Sequence, residues 1–329
     1  MKIGLIGCGG IASWHAKVYR LIENATIVAV CDKDVKKARV FANEHKIEKT
    51  FESHLDLLEI KDLDFVDVCT PTSTHASITV DAVKSGINVL SEKPMALKSE
   101  QCDQIISETK KHKAKVCVCH NQIFFPVVKR IKSMIDDNRA ELVSFKTFIK
   151  ENGELLPSWT TTASEGGILW EAGYHLAYLQ LFFLRNITSV FAIGNKVKYP
   201  VYDDFCVLLK TPSRSYGIME ISWLPKKEEI FYEVDTADGR RYQMNRADDH
   251  LLDVPVDVAE LAWSRAKFRL SRKKLRYFRG HFYLFTRFMD ALKNDLPSPI
   301  PPEDGKKTIQ LLESIQKSLE RQEIVQVLS

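Results

Sequence analysis

Residues fit for chemistry occupy four places in the chain. The first is Gly7-Cys8-Gly9-Gly10-Ile11-Ala12, with glycines at its first and third positions and a small residue at its sixth. The first glycine permits a tight strand-to-helix turn, the second lets backbone approach a pyrophosphate, and the small residue lets helix and strand pack closely. Phosphates would then lie on the helix N-terminus, whose unpaired N–H groups favour an anion. Asp32 follows, a little beyond the roughly 20 residues at which a dinucleotide fingerprint places its acid. Its carboxylate suits an adenosine ribose and repels a 2′-phosphate, which favours NAD. Lys33, Lys36 and Lys37 offset that repulsion and keep NADP as the alternative. The plainer role for Asp32 is to cap the helix that follows it.

Two further segments, Cys69-Thr-Pro-Thr-Ser-Thr-His75 and Ser91-Glu92-Lys93-Pro94, each follow a strand-like run. Ligands of open α/β sheets bind at such C-terminal strand ends. Pro94 fixes the backbone just after Lys93 and so holds a cation near the expected nicotinamide position. The fourth place is Gly166-Gly-Ile-Leu-Trp-Glu171-Ala-Gly-Tyr-His175. Glu171 and His175 are four residues apart and share one helix face. A carboxylate there can orient an imidazole and tune it as a general base. Taken singly, these residues read as a solvated lysine, a capping acid and a satisfied histidine.

The elements that must position them alternate in the first third of the chain. Strand-like runs at Lys2–Ile6, Thr26–Cys31, Asp64–Cys69, Asn88–Ser91 and Lys115–Cys119 are separated by single helical stretches. That pattern predicts parallel βαβ units with right-handed crossovers. After a helix over Val127–Asp137, strands follow one another at Leu142–Ile149, Ser189–Lys196, Phe205–Thr211, Ser215–Trp223, Ile230–Thr236 and Gly239–Asn245. These predict a mostly antiparallel sheet with one long helix at Tyr174–Leu184, then two closing helices at Phe282–Asn294 and Asp304–Arg321. The expected fold is an α/β Rossmann domain with a doubly wound parallel sheet over 1–120, then an α+β domain with an open antiparallel sheet over 121–302.

Composition narrows the remaining classes. The 329 residues exceed one comfortable core. A 45% hydrophobic and 27% charged content is ordinary for a globular chain, and a net charge of +4 selects no partner class. The seven cysteines show no CxxC pair, which predicts free thiols in a reducing compartment, with the cytoplasm as the location. Cys117 and Cys119 share a strand face, but no third or fourth ligand is evident, so no metal is expected. No apolar run reaches a membrane span, and no signal peptide is evident. Eight Lys/Arg and no acid occur between Arg265 and Arg279. The plain reading is a solvated or subunit-facing stretch; the functional one is a set of cations for the diphosphate of a nucleotide sugar. Nucleic acid is not expected as a partner.

Together the GxGxxA turn, the TPxxxH segment, the EKP motif and the GG-x-x-x-acid-x-G-x-H segment resemble the Gfo/Idh/MocA oxidoreductase family, in that order and over most of the chain. Asn121-Gln-Ile-Phe-Phe-Pro126 and Pro302-Glu-Asp-Gly305 extend the likeness. The resemblance implies an NAD(P)-dependent dehydrogenase acting on a CH–OH group of a sugar, cyclitol or nucleotide sugar. Lys93 would hold the reacting oxygen, His175 would carry the hydroxyl proton, and Glu171 would orient the site. Gly7, Gly9, Gly10, Ile11, Ala12, Asp32, Lys33, Thr70, Pro71, His75, Glu92 and Lys93 would line the cofactor. Lys93, Asn121, Trp159 and His175 would meet the substrate. The resemblance further implies a homodimer or homotetramer through the open sheet, and a final helix, about 303–322, packed near the first domain. This chain departs in three places: Glu171 stands where an aspartate is usual, Tyr178 where a second acid often follows, and Ile123 where an arginine is usual. Two other readings stay open, an NAD-retaining glycosidase of the same family and a non-catalytic dinucleotide sensor.

Overall fold

The structure, a computed structural model, describes residues 1–137, 139–156, 161–245 and 272–327. The chain divides into two compact units. One is Met1–His120 with His281–Lys306; the other is Asn121–Gly280 with Lys307–Ser329.

The first unit runs β1 (Lys2–Ile6), α1 (Gly10–Tyr19), β2 (Thr26–Cys31), α2 (Val35–His45), β3 (Lys49–Phe51), α3 (His54–Leu58), β4 (Phe65–Val68), α4 (Thr72–Lys84), β5 (Asn88–Ser91), α5 (Ser99–His112) and β6 (Val116–Val118). Its six strands are all parallel, in the order β3-β2-β1-β4-β5-β6. Strand order reverses between β1 and β4, so the ligand crevice of such a sheet opens beyond their C-terminal ends. Ile3, Leu5, Val30, Phe65, Val66, Val68, Val89 and Leu90 are fully buried, as parallel strands covered on both faces require. The edge strand β3 and the short helix α3 go beyond the sequence reading, since three residues are too few to display a period.

The second unit holds α6 (Pro126–Asp136), β7 (Leu142–Lys150), α7 (Gly167–Leu184), β8 (Ser189–Asn195), β9 (Asp204–Lys210), β10 (Tyr216–Ser222), β11 (Glu229–Thr236) and β12 (Arg241–Asn245). With β13 (Val325–Gln326) these strands form one sheet ordered β12-β11-β7-β10-β9-β8-β13. All neighbours are antiparallel except β7 and β10. Helix α7 covers one face, tied there by Gln180, whose side-chain amide donates to the carbonyls of Phe145 and Ile218 and to Thr147 Oγ1. The other face exposes Phe191, Ile193 and Leu208, and stacks Phe148 on Phe231 with ring centroids 4.3 Å apart. Among the described residues, no helix is long and apolar enough to cross a membrane.

The C-terminal third differs from the sequence reading. Helix α8 spans Arg272–Lys293 and α9 spans Pro302–Arg321. Residues His281–Lys306 group with the first unit, not the second. There Phe285 stacks on Tyr19 at 4.6 Å and Phe288 meets Phe65 edge-on at 5.3 Å. Most of the last helix, by contrast, groups with the second unit. It is held there by the N–H of Ala192 on Ser318 Oγ and by Tyr202 OH on the Leu319 carbonyl. Helix α7 begins seven residues before the expected Tyr174, because Gly166 and Gly167, at φ +82° and +64°, turn the chain into the helix rather than interrupting it.

Candidate active site

The turn after β1 has little freedom. Gly7 sits at φ +97°, and a Cβ there would lie 2.6 Å from the carbonyl oxygen of Cys69, just past β4. Only glycine lets the two strand ends approach this closely. Ala12 is fully buried in a cluster with Leu5, Ala16, Val30 and Cys69, so its small size serves helix–strand packing. At Gly9 and Gly10 the opposite holds: both are exposed, and nothing lies within 4 Å of a Cβ built on either. Gly9 caps α1 without a side-chain hydrogen bond, and the first turn holds no acid. The opening of α1 thus carries no side-chain cap and no acid of its own, and nothing crowds the two exposed glycines. These residues fit a dinucleotide pyrophosphate.

Asp32 stands at the end of β2 and reaches back to this turn, its Oδ2 accepting the Cys8 N–H at 2.9 Å. Its other oxygen accepts the Asp34 N–H, and Asp34, not Asp32, caps α2 by accepting from Lys36 and Lys37. The plain capping role therefore belongs to Asp34, and Asp32 is left facing the turn. Burial and the nearby Asp32 push the Cys8 thiol up to about 12, so it carries no nucleophile.

The loops after β4 and β5 are tied to each other. His75 is 1% exposed, with Nδ1 2.7 Å from the Pro94 carbonyl and Nε2 2.6 Å from the Thr70 carbonyl. Thr74 Oγ1 lies 2.8 Å from both the Pro71 carbonyl and Thr70 Oγ1. His75 thus clamps the two loops together from inside, leaving Thr70 and Pro71 nearer the surface. The Lys93–Pro94 peptide is cis, and Lys93 is half-buried with its N–H donating to Glu92 Oε2 at 3.0 Å. Glu92 is 6% exposed and turned inward, its Oε1 lying 3.1 Å from His15 Nε2. The expectation that His75 and Glu92 line the cofactor thus meets two side chains that face the interior and shape the loops.

His15 leads to a cluster that sequence reading missed. Its Nδ1 lies 2.9 Å from Asp67 Oδ2, which also accepts from Tyr19 OH. Cys69, Cys119, His281 and Phe285 complete its surroundings. All these residues are buried. Cys119 therefore does have the companions that its sequence neighbourhood lacked, since ligand atoms of His15, Glu92, Cys119 and His281 lie within 4.8 Å of one another. They come from positions 15 to 281, a separation at which no spacing rule operates.

In the second unit Glu171 and His175 are half-buried one turn apart on α7. Tyr174 and Leu176 beside them are fully buried, and Gly173 packs against Ile221 of β10, so the opposite faces of the helix fix its rotation. Asn121 lies buried on a 3-10 turn, Asn121–Phe124, whose Gln122 accepts from Tyr232 OH. Ile123 and Tyr178, two of the departures, are buried as well. Trp159 and residues 265–271 of the basic run lie outside the described residues. So do the side chains of Lys273, Lys274 and Arg276, on which the diphosphate reading rests. Of that run's described residues, Phe278 and Arg279 are buried.

Comparison with known proteins agrees with this geometry. Residues 1–120 match the model of an oxidoreductase family with an NAD-binding Rossmann fold, and residues 128–241 match the GFO/IDH/MocA C-terminal domain. A myo-inositol 2-dehydrogenase of Thermotoga maritima is 24% identical, the match covering 99% of this chain and 98% of that protein. An inositol 2-dehydrogenase of Rhizobium meliloti is 30% identical over 68% of each. The crystal structure of scyllo-inositol dehydrogenase from Lactobacillus casei with NAD(H) and scyllo-inositol has the same fold, with a TM-score of 0.85 at 19% identity, covering 100% of this chain and 99% of that one.

The two glycines of the turn should separate in experiment. Gly9→Ala is expected to leave thermal stability unchanged and to weaken NAD binding at least about tenfold, or ~1.4 kcal/mol, by calorimetric titration. Gly7→Ala should instead cost at least about 1–2 kcal/mol of stability, because a left-handed residue gains a side chain against a carbonyl.

Proposed function

Because the chain belongs to the GFO/IDH/MocA family of NAD-binding oxidoreductases, we propose that it transfers a hydride between nicotinamide and the carbinol carbon of a sugar, cyclitol or nucleotide sugar. The observation that carries this reading is the Lys93 loop. A half-buried lysine stands at the C-terminal end of β5, on a loop clamped by His75 and Glu92, in the sheet whose β1 end forms the pyrophosphate turn. A preorganised cation of this kind gains most from charge that develops during reaction. Bound NAD supplies the hydride acceptor or donor at its nicotinamide ring. Lys93 holds the substrate oxygen and stabilises it as it becomes an alkoxide. His175 takes the hydroxyl proton in oxidation and returns it in reduction, with Glu171 one turn away orienting the imidazole. Asn121 contacts the substrate. The extra methylene of Glu171 shifts its carboxylate by about a bond length relative to an aspartate, which favours a substrate or pose unlike the common sugars.

Asp32 favours NAD over NADP, since a carboxylate at the end of β2 meets ribose hydroxyls well and a 2′-phosphate badly. The enzyme acts as a dimer or tetramer through the open face of the second-unit sheet, supported by Phe191, Ile193 and Leu208 at 37%, 58% and 49% exposure. Its free cysteines fit a reducing compartment, and the reading places it in the cytoplasm.

Four measurements check the reading. With a panel of polyols, sugars and nucleotide sugars, the wild type should produce net NADH, which an NAD-retaining glycosidase would not. Lys93→Ala should lower kcat by about 10²–10³ while NADH binding persists; unimpaired turnover would rule out the mechanism. Asp32→Asn, which keeps an acceptor for the Cys8 N–H, should raise the NADP/NAD ratio of kcat/KM at least about tenfold by removing like-charge repulsion. Finally, Ile193→Lys should reduce the mass measured by light scattering to that of a monomer, and a monomeric wild type would dispose of the assembly.

A further inference from the structure

We propose that His15 is a positioning residue for Lys93: it takes a carboxylate on each ring nitrogen, and one of those carboxylates carries the Lys93 backbone on its other oxygen. The proposal rests on the catalytic reading of Lys93 given above. The chain of contacts is short. Asp67 Oδ2 lies 2.9 Å from His15 Nδ1, Glu92 Oε1 lies 3.1 Å from His15 Nε2, and Glu92 Oε2 receives the Lys93 N–H at 3.0 Å. A carboxylate accepts and does not donate, so an imidazole satisfied on both sides by carboxylates is the cation with both nitrogens protonated.

Among the described residues, several elements surround this ring and bear on its charge. From α1 comes Tyr19 through the shared Asp67, from β4 and its end Asp67 and Cys69, from β5's end Glu92, from β6's end Cys119, and from α8 His281 and Phe285. Burial alone would lower the His15 pKa, but Cys69 and Asp67, with hydrogen bonds to Asp67 and Cys119, hold it well above the ordinary value. Burial pushes the Cys69 thiol itself up, so Asp67 and Glu92 provide the countercharge. Burial would raise Glu92, yet its hydrogen bond and charge pairing with His15 hold it well below the carboxylate range. Burial and repulsion by His15 lower His281 to about 3, so that ring stays neutral and the cluster holds one imidazolium.

The same donors invite a metal, but His281 argues for the proton network. Trp14 Nε1 can only donate, and it donates to His281 Nδ1 at 3.2 Å. A neutral His281 therefore carries its proton on Nε2 and has no lone pair left for an ion. His15, for its part, would have to give up a carboxylate contact to ligate.

The linkage signs follow from these directions. His15 contributes stability below its unfolded pKa and loses it only as pH rises through the raised folded value. Glu92 contributes above its unfolded pKa and loses it only as pH falls through its depressed value. The pair is thus intact across neutrality.

Glu92→Gln exposes the coupling. A neutral His15 can accept from the new amide while the amide oxygen still holds the Lys93 N–H; a charged His15 claims that oxygen and leaves Lys93 unsupported. The kcat profile of Glu92→Gln should therefore fall roughly tenfold on the acid side of neutrality, a limb absent from the wild type. The double variant His15→Gln/Glu92→Gln should lose that limb. NADH affinity should stay within about threefold throughout, so the effect falls on kcat. A Glu92→Gln profile parallel to the wild type overturns the proposal, as does stoichiometric zinc that survives dialysis. Should the variants fail to fold, ¹⁵N-histidine NMR of the wild type decides: His15 protonated on both nitrogens at pH 7.5 supports the proposal and a neutral ring overturns it. That readout does not depend on Lys93, so a failure of the catalytic reading remains distinguishable.

Discussion

The contact on which the nucleotide-binding unit depends is the approach of the Gly7 backbone to the carbonyl of Cys69, too close for any side chain. It joins the ends of β1 and β4 at the point where strand order reverses, and so fixes where the crevice lies. Several features follow from it. The chain leaves β1 in a left-handed turn, α1 starts three residues later at Gly10, and its first N–H groups are presented without a side-chain cap. Asp32 then completes the turn from the next strand by taking the Cys8 N–H. A side chain at position 7 would displace all of these at once, because they share one stretch of backbone.

Beneath that crevice the unit buries ionisable groups that a protein interior ordinarily excludes. Isolated buried charges are expensive, and a buried pair is tolerable only when its remaining donors and acceptors are also satisfied. Asp67 meets this condition with His15, Tyr19 and Cys69, and Glu92 with His15 and the Lys93 N–H. Aromatic rings close the cluster, with Phe285 edge-on to His15 and stacked on Tyr19. The α8 segment therefore brings to this unit a cover over its polar centre, which explains why His281–Lys306 groups there despite its place in sequence.

The Rossmann half was legible because parallel strands buried on both faces read as short apolar runs between helical stretches. The dinucleotide turn was legible because its glycines have distinct steric reasons. Other features left no comparable trace. Strand β3 has three residues, β13 has two, and neither can show alternation. Capping by Asp34 rather than Asp32 depends on a difference of two residues, within the ordinary uncertainty of helix ends. The expected start of α7 at Tyr174 fell short because Gly166-Gly167 serves as the helix entry. The inward turn of Glu92 and His75 was invisible for another reason: their partners, His15 and the loop carbonyls, are set by tertiary packing and not by local pattern.

Glu171 and His175 pose the converse problem, being adjacent in pattern yet dependent on packing for meaning. On an isolated helix an i,i+4 acid–imidazole pair is a weak, solvated contact worth a few tenths of a kcal/mol. Here α7 is held against the sheet by Gln180 and by Gly173 packing on Ile221, with Tyr174 and Leu176 buried around the pair. The helix cannot rotate to accommodate a longer acid, so Glu171 must place its extra methylene by its own rotamers. A position set by a rigid helix and a flexible arm tolerates a different substrate geometry more readily than a different helix orientation. In the proposed reaction, the glutamate is an adjustment of reach on a fixed platform.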